Sequence, residues 1–196
     1  MDTLERTIIG YHYTNPKAYR SMKTPGVDDY LTFKFDDFIG LIPRKRFIPL
    51  GDAQGLPTNA YDSVIESLLE PEPKSWLQNP EFPRLWRYLM SDICREKEVM
   101  LLSFELTPED QAYIVDRAHV ERELYPKFIK QDKSISTTRT EAFKKYWESR
   151  VPVFEYDGGY CAPQLVIWSG IEFRRLKVEW VKPTNKVWKR VLDNDW

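Results

Sequence analysis

The chain has 196 residues, 42% of them apolar and 14% aromatic, which is ample material for one hydrophobic core and excludes a disordered or low-complexity class. A formal net charge of −1 excludes a protein driven onto nucleic acid or membrane by a global field. That charge is uneven: +1 over residues 1–59, −7 over 60–124, +2 over 125–138 and +3 over 139–196. The acidic middle argues against a broad phosphate-binding face there, whereas the last third can offer a modest basic patch. Two cysteines, Cys94 and Cys161, favour a reducing compartment. No charged and apolar leader precedes the first strand, and no apolar run approaches the roughly 18 residues of a membrane span. One soluble cytoplasmic domain, 1–196, is the expectation.

In chain order, Arg6–Thr14 predicts a strand. Asn15-Pro16 follows as a helix cap and first-turn proline for a helix over Lys17–Lys23. A short strand is expected at Tyr30–Phe35, then Gly40-Leu-Ile-Pro43 and the basic run Arg44-Lys45-Arg46 in a segment punctuated by Gly and Pro up to Pro57. Asp62 predicts the cap of a helix through Glu70, ended by Pro71-Glu-Pro73. Asn79-Pro80 opens the most strongly periodic helix, in which Phe82, Leu85, Trp86, Leu89, Met90, Ile93 and Cys94 recur at core-facing spacing. Val99–Leu106 predicts a buried strand, and Thr107-Pro-Glu-Asp110 a capped turn. Tyr113–Asp116 is expected as a strand and His119–Leu124 as a short helix, with one continuous helix as the alternative.

Thr138 with Glu141 forms a capping box for a helix ending near Arg150, with Ala142, Phe143, Tyr146 and Trp147 facing inward. Gln164–Trp168 and Ile171–Val181 read as strands of a hairpin joined at Ser169-Gly170. Alternation of Leu176, Val178 and Trp180 with Lys177 and Glu179 predicts one wet face on the second arm. Helices in the first two-thirds and strands at both ends make the class α+β rather than repeated βαβ.

Few residues are equipped for chemistry. Two histidines, His12 and His119, and two cysteines lack the paired spacing of a zinc site, so no metal is expected. No phosphate-binding Gly-rich loop, Gly-x-Ser-x-Gly or His-Glu-x-x-His is present. His12 stands out. It ends an apolar strand, flanked by Tyr11 and Tyr13, and runs through Thr14 into a helix start. Hydrogen-bonding groups, a stacking ring and the positive end of a helix there suit a ligand with ribose, base and phosphate.

Tyr11-His12-Tyr13-Thr14, a short helix and then Gly40-Leu-Ile-Pro43 resemble the opening of ADP-ribosyltransferase-like domains of the His-Tyr-Glu type. The late stretch Ala162-Pro163-Gln164-Leu165-Val166-Ile167, with its return strand from Ile171, resembles that superfamily's Pro-Glu-apolar-apolar motif. Gln164 stands where the superfamily has Glu. The resemblance implies two small sheets around a cleft with flanking helices, and NAD as substrate. His12, Tyr13 and Thr14 would hold the ribose and nicotinamide, and Tyr146 would stack on a ring. It implies ADP-ribosyl transfer to an unknown protein or nucleic-acid target, or NAD hydrolysis, with Gln164 at the catalytic position.

Expulsion of nicotinamide passes through an oxocarbenium-like state that a carboxylate stabilises and a glutamine, being uncharged, does not. Glu121, Glu172 and Glu155 are the candidate substitutes. A catalytically silent nucleotide-binding or interaction module is the alternative. A further one is an RNA 2′-phosphotransferase-like enzyme, in which Arg44 and Arg46 would hold phosphate.

Overall fold

The structure, a computed structural model, describes residues 7–22, 30–31, 65–122, 145–167 and 171–193. It is mixed α and β, with small sheets and short helices, and divides into two units. The first unit comprises 1–31, 66–110 and 171–196, and the second 32–65 and 111–170, so the chain passes between them four times.

The first unit is built on a three-stranded sheet with β4 (Glu98–Leu106) between β1 (Ile8–Thr14) and β9 (Lys177–Pro183). Both pairings are antiparallel, with Ile8 opposite Leu106 and Thr14 opposite Met100. As the central strand, β4 needs apolar side chains on both faces, and Val99, Met100, Leu101, Leu102 and Phe104 are all buried. α1 (Pro16–Met22) follows β1 directly, and its entry is capped as the sequence predicts: the Ala18 amide donates to Asn15 Oδ1 at 2.8 Å. β2 (Tyr30–Leu31) pairs with β8 (Ile171–Glu172) in a separate two-stranded ladder. The rest of the predicted Tyr30–Phe35 strand, Gly40–Pro43 and Arg44–Arg46 lie outside the described residues.

The structure corrects four expectations. The helix predicted up to Glu70 is replaced by β3 (Ile65–Ser67), with Leu68 bridged to Tyr11 through backbone bonds of 2.9 and 2.8 Å; Asp62 itself lies outside the described residues. Ile65 and Ser67 are buried and Glu66 is less so, a period-two pattern that overrides weak helix propensity. The helix predicted from Asn79 begins only at Leu85, as α3 (Leu85–Ile93), preceded by the short α2 (Lys74–Leu77). Asn79 instead caps a turn, its Oδ1 accepting from the Glu81 and Phe82 amides at 3.0 and 2.9 Å, while Pro83 disfavours helical backbone at Phe82. Within α3, Leu85, Trp86 and Met90 are buried as predicted, whereas Cys94 at the helix end is half-buried.

The third correction is β9. Its register against β4 slips: Trp180 faces Leu101 and Val178 faces Leu102, leaving Glu179 as an extra residue. Because Leu101 and Leu102 are adjacent on β4, they point to opposite faces, and so do Trp180 and Val178. The bulge therefore breaks the expected single apolar face. Val178 is 41% exposed, while Trp180 turns toward Tyr13. Glu179 is fastened across the sheet by the Ser103 hydroxyl, which donates to it at 2.6 Å. α4 (Thr184–Asp193) then returns with Val187 and Val191 buried.

The second unit holds a sheet in the order β3-β7-β5-β6, of which Ile65 is the first residue of β3; β5 is Ala112–Asp116, β6 Val151–Pro152 and β7 Pro163–Ile167. β5 pairs antiparallel with both β6 and β7, Val115 lying opposite Gln164. The hairpin expected around Ser169-Gly170 does not form. β7 is an inner strand whose two edges are already taken, so β8 cannot return along it and pairs with β2 instead. A helical turn at 118–122 and another at 145–148 match the two predicted helix ends; Ala142, Phe143 and the Thr138–Glu141 box lie outside the described residues. The turn before β7 needs two successive left-handed residues, supplied by Gly158 and Gly159 with φ of 106° and 92°.

Candidate functional site at the end of the first strand

Alternation along β1 decides which way its last residues point. His12 and Thr14 share one face and Tyr13 takes the other. The His12 ring is buried, and its Nδ1 lies 2.8 Å from the Glu66 carbonyl oxygen. Burial lowers its pKa to about 4, outweighing the Glu66 bond, which works in the opposite direction. The imidazole is therefore neutral at pH 7. Since a carbonyl only accepts, Nδ1 carries the proton and Nε2 is the acceptor nitrogen. Sequence reasoning missed Glu66 as the residue that orients this ring. Its signal is the period-two run Ile65-Glu-Ser67, inside the segment where Asp62 predicts a helix.

Tyr13 does not accompany His12. Its hydroxyl donates to the Pro71 carbonyl at 2.7 Å, and its ring meets Trp86 and Trp180 edge-on at 5.7 and 5.8 Å between centroids. Burial, with the Glu72 carboxylate adding to it, pushes its hydroxyl pKa well above the ordinary value.

The late candidates belong to the second unit. Gln164 on β7 is 2% exposed, and its Oε1 accepts from the Tyr146 hydroxyl at 2.9 Å. Tyr146 is itself buried, with its ring 4.8 Å from that of Trp147. The predicted catalytic and ring-stacking residues are thus brought together, as hydrogen-bonded partners inside the unit. Glu121 accepts from Arg117 Nε at 2.9 Å in an ion pair whose side chains are 13% and 9% exposed. Such a pair holds its carboxylate firmly because breaking it strands a buried charge.

Asp116, which the sequence did not single out, organises this region. Its Oδ1 accepts from the amides of Ala118 and Ala162 at 3.1 and 3.0 Å, and its own amide donates to Ser149 Oγ at 2.9 Å. One carboxylate thereby ties the end of β5 to the start of the helical turn and to the residue preceding β7.

Glu172, in the first unit, accepts from Arg174 at 2.5 Å in an exposed pair of the kind that contributes little stability. Glu155 is exposed on a 3₁₀ turn, Val153–Glu155. Arg46 lies outside the described residues. Cys94 and Cys161 are not linked by a disulfide, and burial lifts the Cys94 thiol to about 11, far from a reactive thiolate. Among the described residues no three His, Cys, Asp or Glu side chains are grouped to hold a metal ion, and no helix is long and apolar enough to cross a membrane. No family model, curated protein or solved structure matches this chain significantly, so its site is characterised by the chemistry of its own residues.

Proposed function

We propose that this chain is an NAD-binding protein on an ADP-ribosyltransferase-like plan, which transfers ADP-ribose to a target or hydrolyses NAD. The observation that carries this reading is His12. It is a neutral imidazole near the end of a strand, its ring oriented by a backbone carbonyl, shortly before a capped helix start. A neutral, pre-oriented imidazole is the form that hydrogen-bonds ribose hydroxyls, whereas an imidazolium would have both nitrogens as donors. Thr14 on the same face adds a hydroxyl.

A second reading, a catalytically silent nucleotide binder, is favoured by Gln164. It is uncharged, and its carbonyl oxygen is engaged by Tyr146. Two candidate replacement carboxylates, Glu121 and Glu172, are each committed to an arginine.

Nicotinamide release from NAD separates the two. Gln164→Glu puts a negative charge at the position where the superfamily carries its carboxylate, and loss or gain of one such group is commonly worth about a hundredfold in rate. We expect the variant to release nicotinamide at least tenfold faster than wild type, more so at pH 8 than at pH 6, because a buried carboxyl titrates above its usual range. Unchanged NAD affinity with no release from either protein would establish the silent binder.

A further inference from the structure

On the face of the first sheet opposite His12 lies a cavity of about 240 Å³. Its floor is aromatic: Tyr13 from β1, Trp86 from α3 and Trp180 from β9, the last brought there by the bulge at Glu179. Its rim is cationic: Lys182 from β9, and Lys186 and Arg190 one turn apart on α4. Lys182 Nζ stands 4.4 Å from the centre of the Trp180 ring. The single lining carboxylate, Glu72, accepts from Arg190 at 2.6 Å. The cavity wall therefore carries a net positive charge at the mouth of a ring-lined slot.

We propose that this cavity is a second ligand site, which takes one base and one phosphate of a nucleotide. The aromatic floor offers ring surface to a base, and base–aromatic stacking tolerates any base. Lys182 and Lys186 form no ion pair among the described residues, and with Arg190 they converge on one mouth, which suits a doubly charged phosphate better than a single carboxylate. Placing Lys186 and Arg190 at i and i+4 is mildly unfavourable for a helix by itself, a cost that a bound phosphate would remove. The volume is below the roughly 300–1,000 Å³ of sites for larger ligands, so it accommodates a mononucleotide or a terminal nucleotide of a single strand rather than a whole dinucleotide. The site does not depend on the NAD reading, since His12 points to the other face of the sheet.

Titration of the full chain with adenosine 5′-monophosphate, followed by the indole resonances of its tryptophans, tests this. Binding is expected to weaken about five- to tenfold in each of Lys182→Ala and Lys186→Ala, and tenfold or more in Trp180→Leu, and to fall with added salt. His12→Asn is expected to leave it unchanged. Adenosine alone and inorganic phosphate alone are expected to bind at least tenfold more weakly than the nucleotide. A 5′-phosphorylated single-stranded oligonucleotide that competes more strongly than the mononucleotide would identify a nucleic-acid end as the source, and one that competes no better would identify the free nucleotide. Both results support the site. Absence of binding at millimolar nucleotide would overturn the proposal. So would binding that the exposed-lysine variants, which do not threaten the fold, leave unaltered.

Discussion

Acidification from pH 7 to pH 4 should cost this protein about 3 kcal/mol through His12 alone. The imidazole has a pKa of about 4 in the folded chain and its ordinary value of 6.5 when unfolded. Between those values the unfolded chain binds a proton that the folded chain refuses, so stability falls as pH drops below 6.5 and the loss is complete near pH 4. Each unit of difference is worth about 1.4 kcal/mol. Asp110 is distinguishable by its window. Burial works to raise its pKa, but hydrogen bonds from Arg175 and from the Thr107 amide at 2.8 Å outweigh it and hold the carboxyl below 3.8, so its contribution is present above that value and disappears only at lower pH. Urea midpoints for wild type and His12→Asn at pH 7 and pH 4.5 provide the measurement. Asparagine retains a donor near the Nδ1 position but does not titrate, so the variant should lose markedly less stability over this interval. Equal losses in both proteins would mean that His12 is not buried in neutral form.

Asp116→Ala should be the most damaging polar substitution among the described residues of the second unit, at about 2–4 kcal/mol. Two buried amides, those of Ala118 and Ala162, would lose an ionised acceptor. A hydrogen bond to a charged group contributes about 1.5–3 kcal/mol, and because the two share one carboxylate their loss is less than additive. The neighbouring bond from the Arg117 amide to the Ala162 carbonyl at 2.9 Å would then hold β7 to this turn with less support. Asp116→Asn keeps one acceptor oxygen and should recover about half the loss. Chemical denaturation of the three proteins checks the ranking, which would fail if Asn were as damaging as Ala.

The sequence revealed elements whose signal is local. The strand at Ile8–Thr14 is marked by its apolar run, the α1 entry by Asn15-Pro16, and the Thr107–Asp110 turn by the capping spacing that the Thr107–Asp110 bonds realise. Elements that depend on distant partners were not legible. Ile65–Ser67 becomes a strand because its sheet partner is β7, far away in sequence, and no window around Asp62 contains that partner. The α3 start was misplaced because Asn79-Pro80 is equally good chemistry for a turn, and Pro83 decided between the two. The bulge at Glu179 cannot be read from period-two alternation, since one extra residue reverses every later side chain.

The candidate site was legible to the same extent. His12 was identified by its position at a strand end before a capped helix, but its orienting carbonyl, Glu66, comes from a segment read as helix. The basic last third was visible as charge, whereas its convergence on Trp86 and Trp180 follows from the register slip and the return of α4. Asp116 escaped notice because a lone aspartate carries no spacing signal until the amides that donate to it are folded around it.

Calorimetric titration with NAD is the measurement that bears most directly on the central claim. Wild type should bind, and His12→Asn should bind about 2- to 13-fold more weakly, the equivalent of one hydrogen bond of about 0.5–1.5 kcal/mol, while Lys186→Ala should leave NAD affinity unchanged. The account is contradicted if wild type gives no binding heat at millimolar NAD. It is equally contradicted if Lys186→Ala weakens binding and His12→Asn does not, because NAD would then be held by its adenylate half in the second cavity rather than by its ribose at His12.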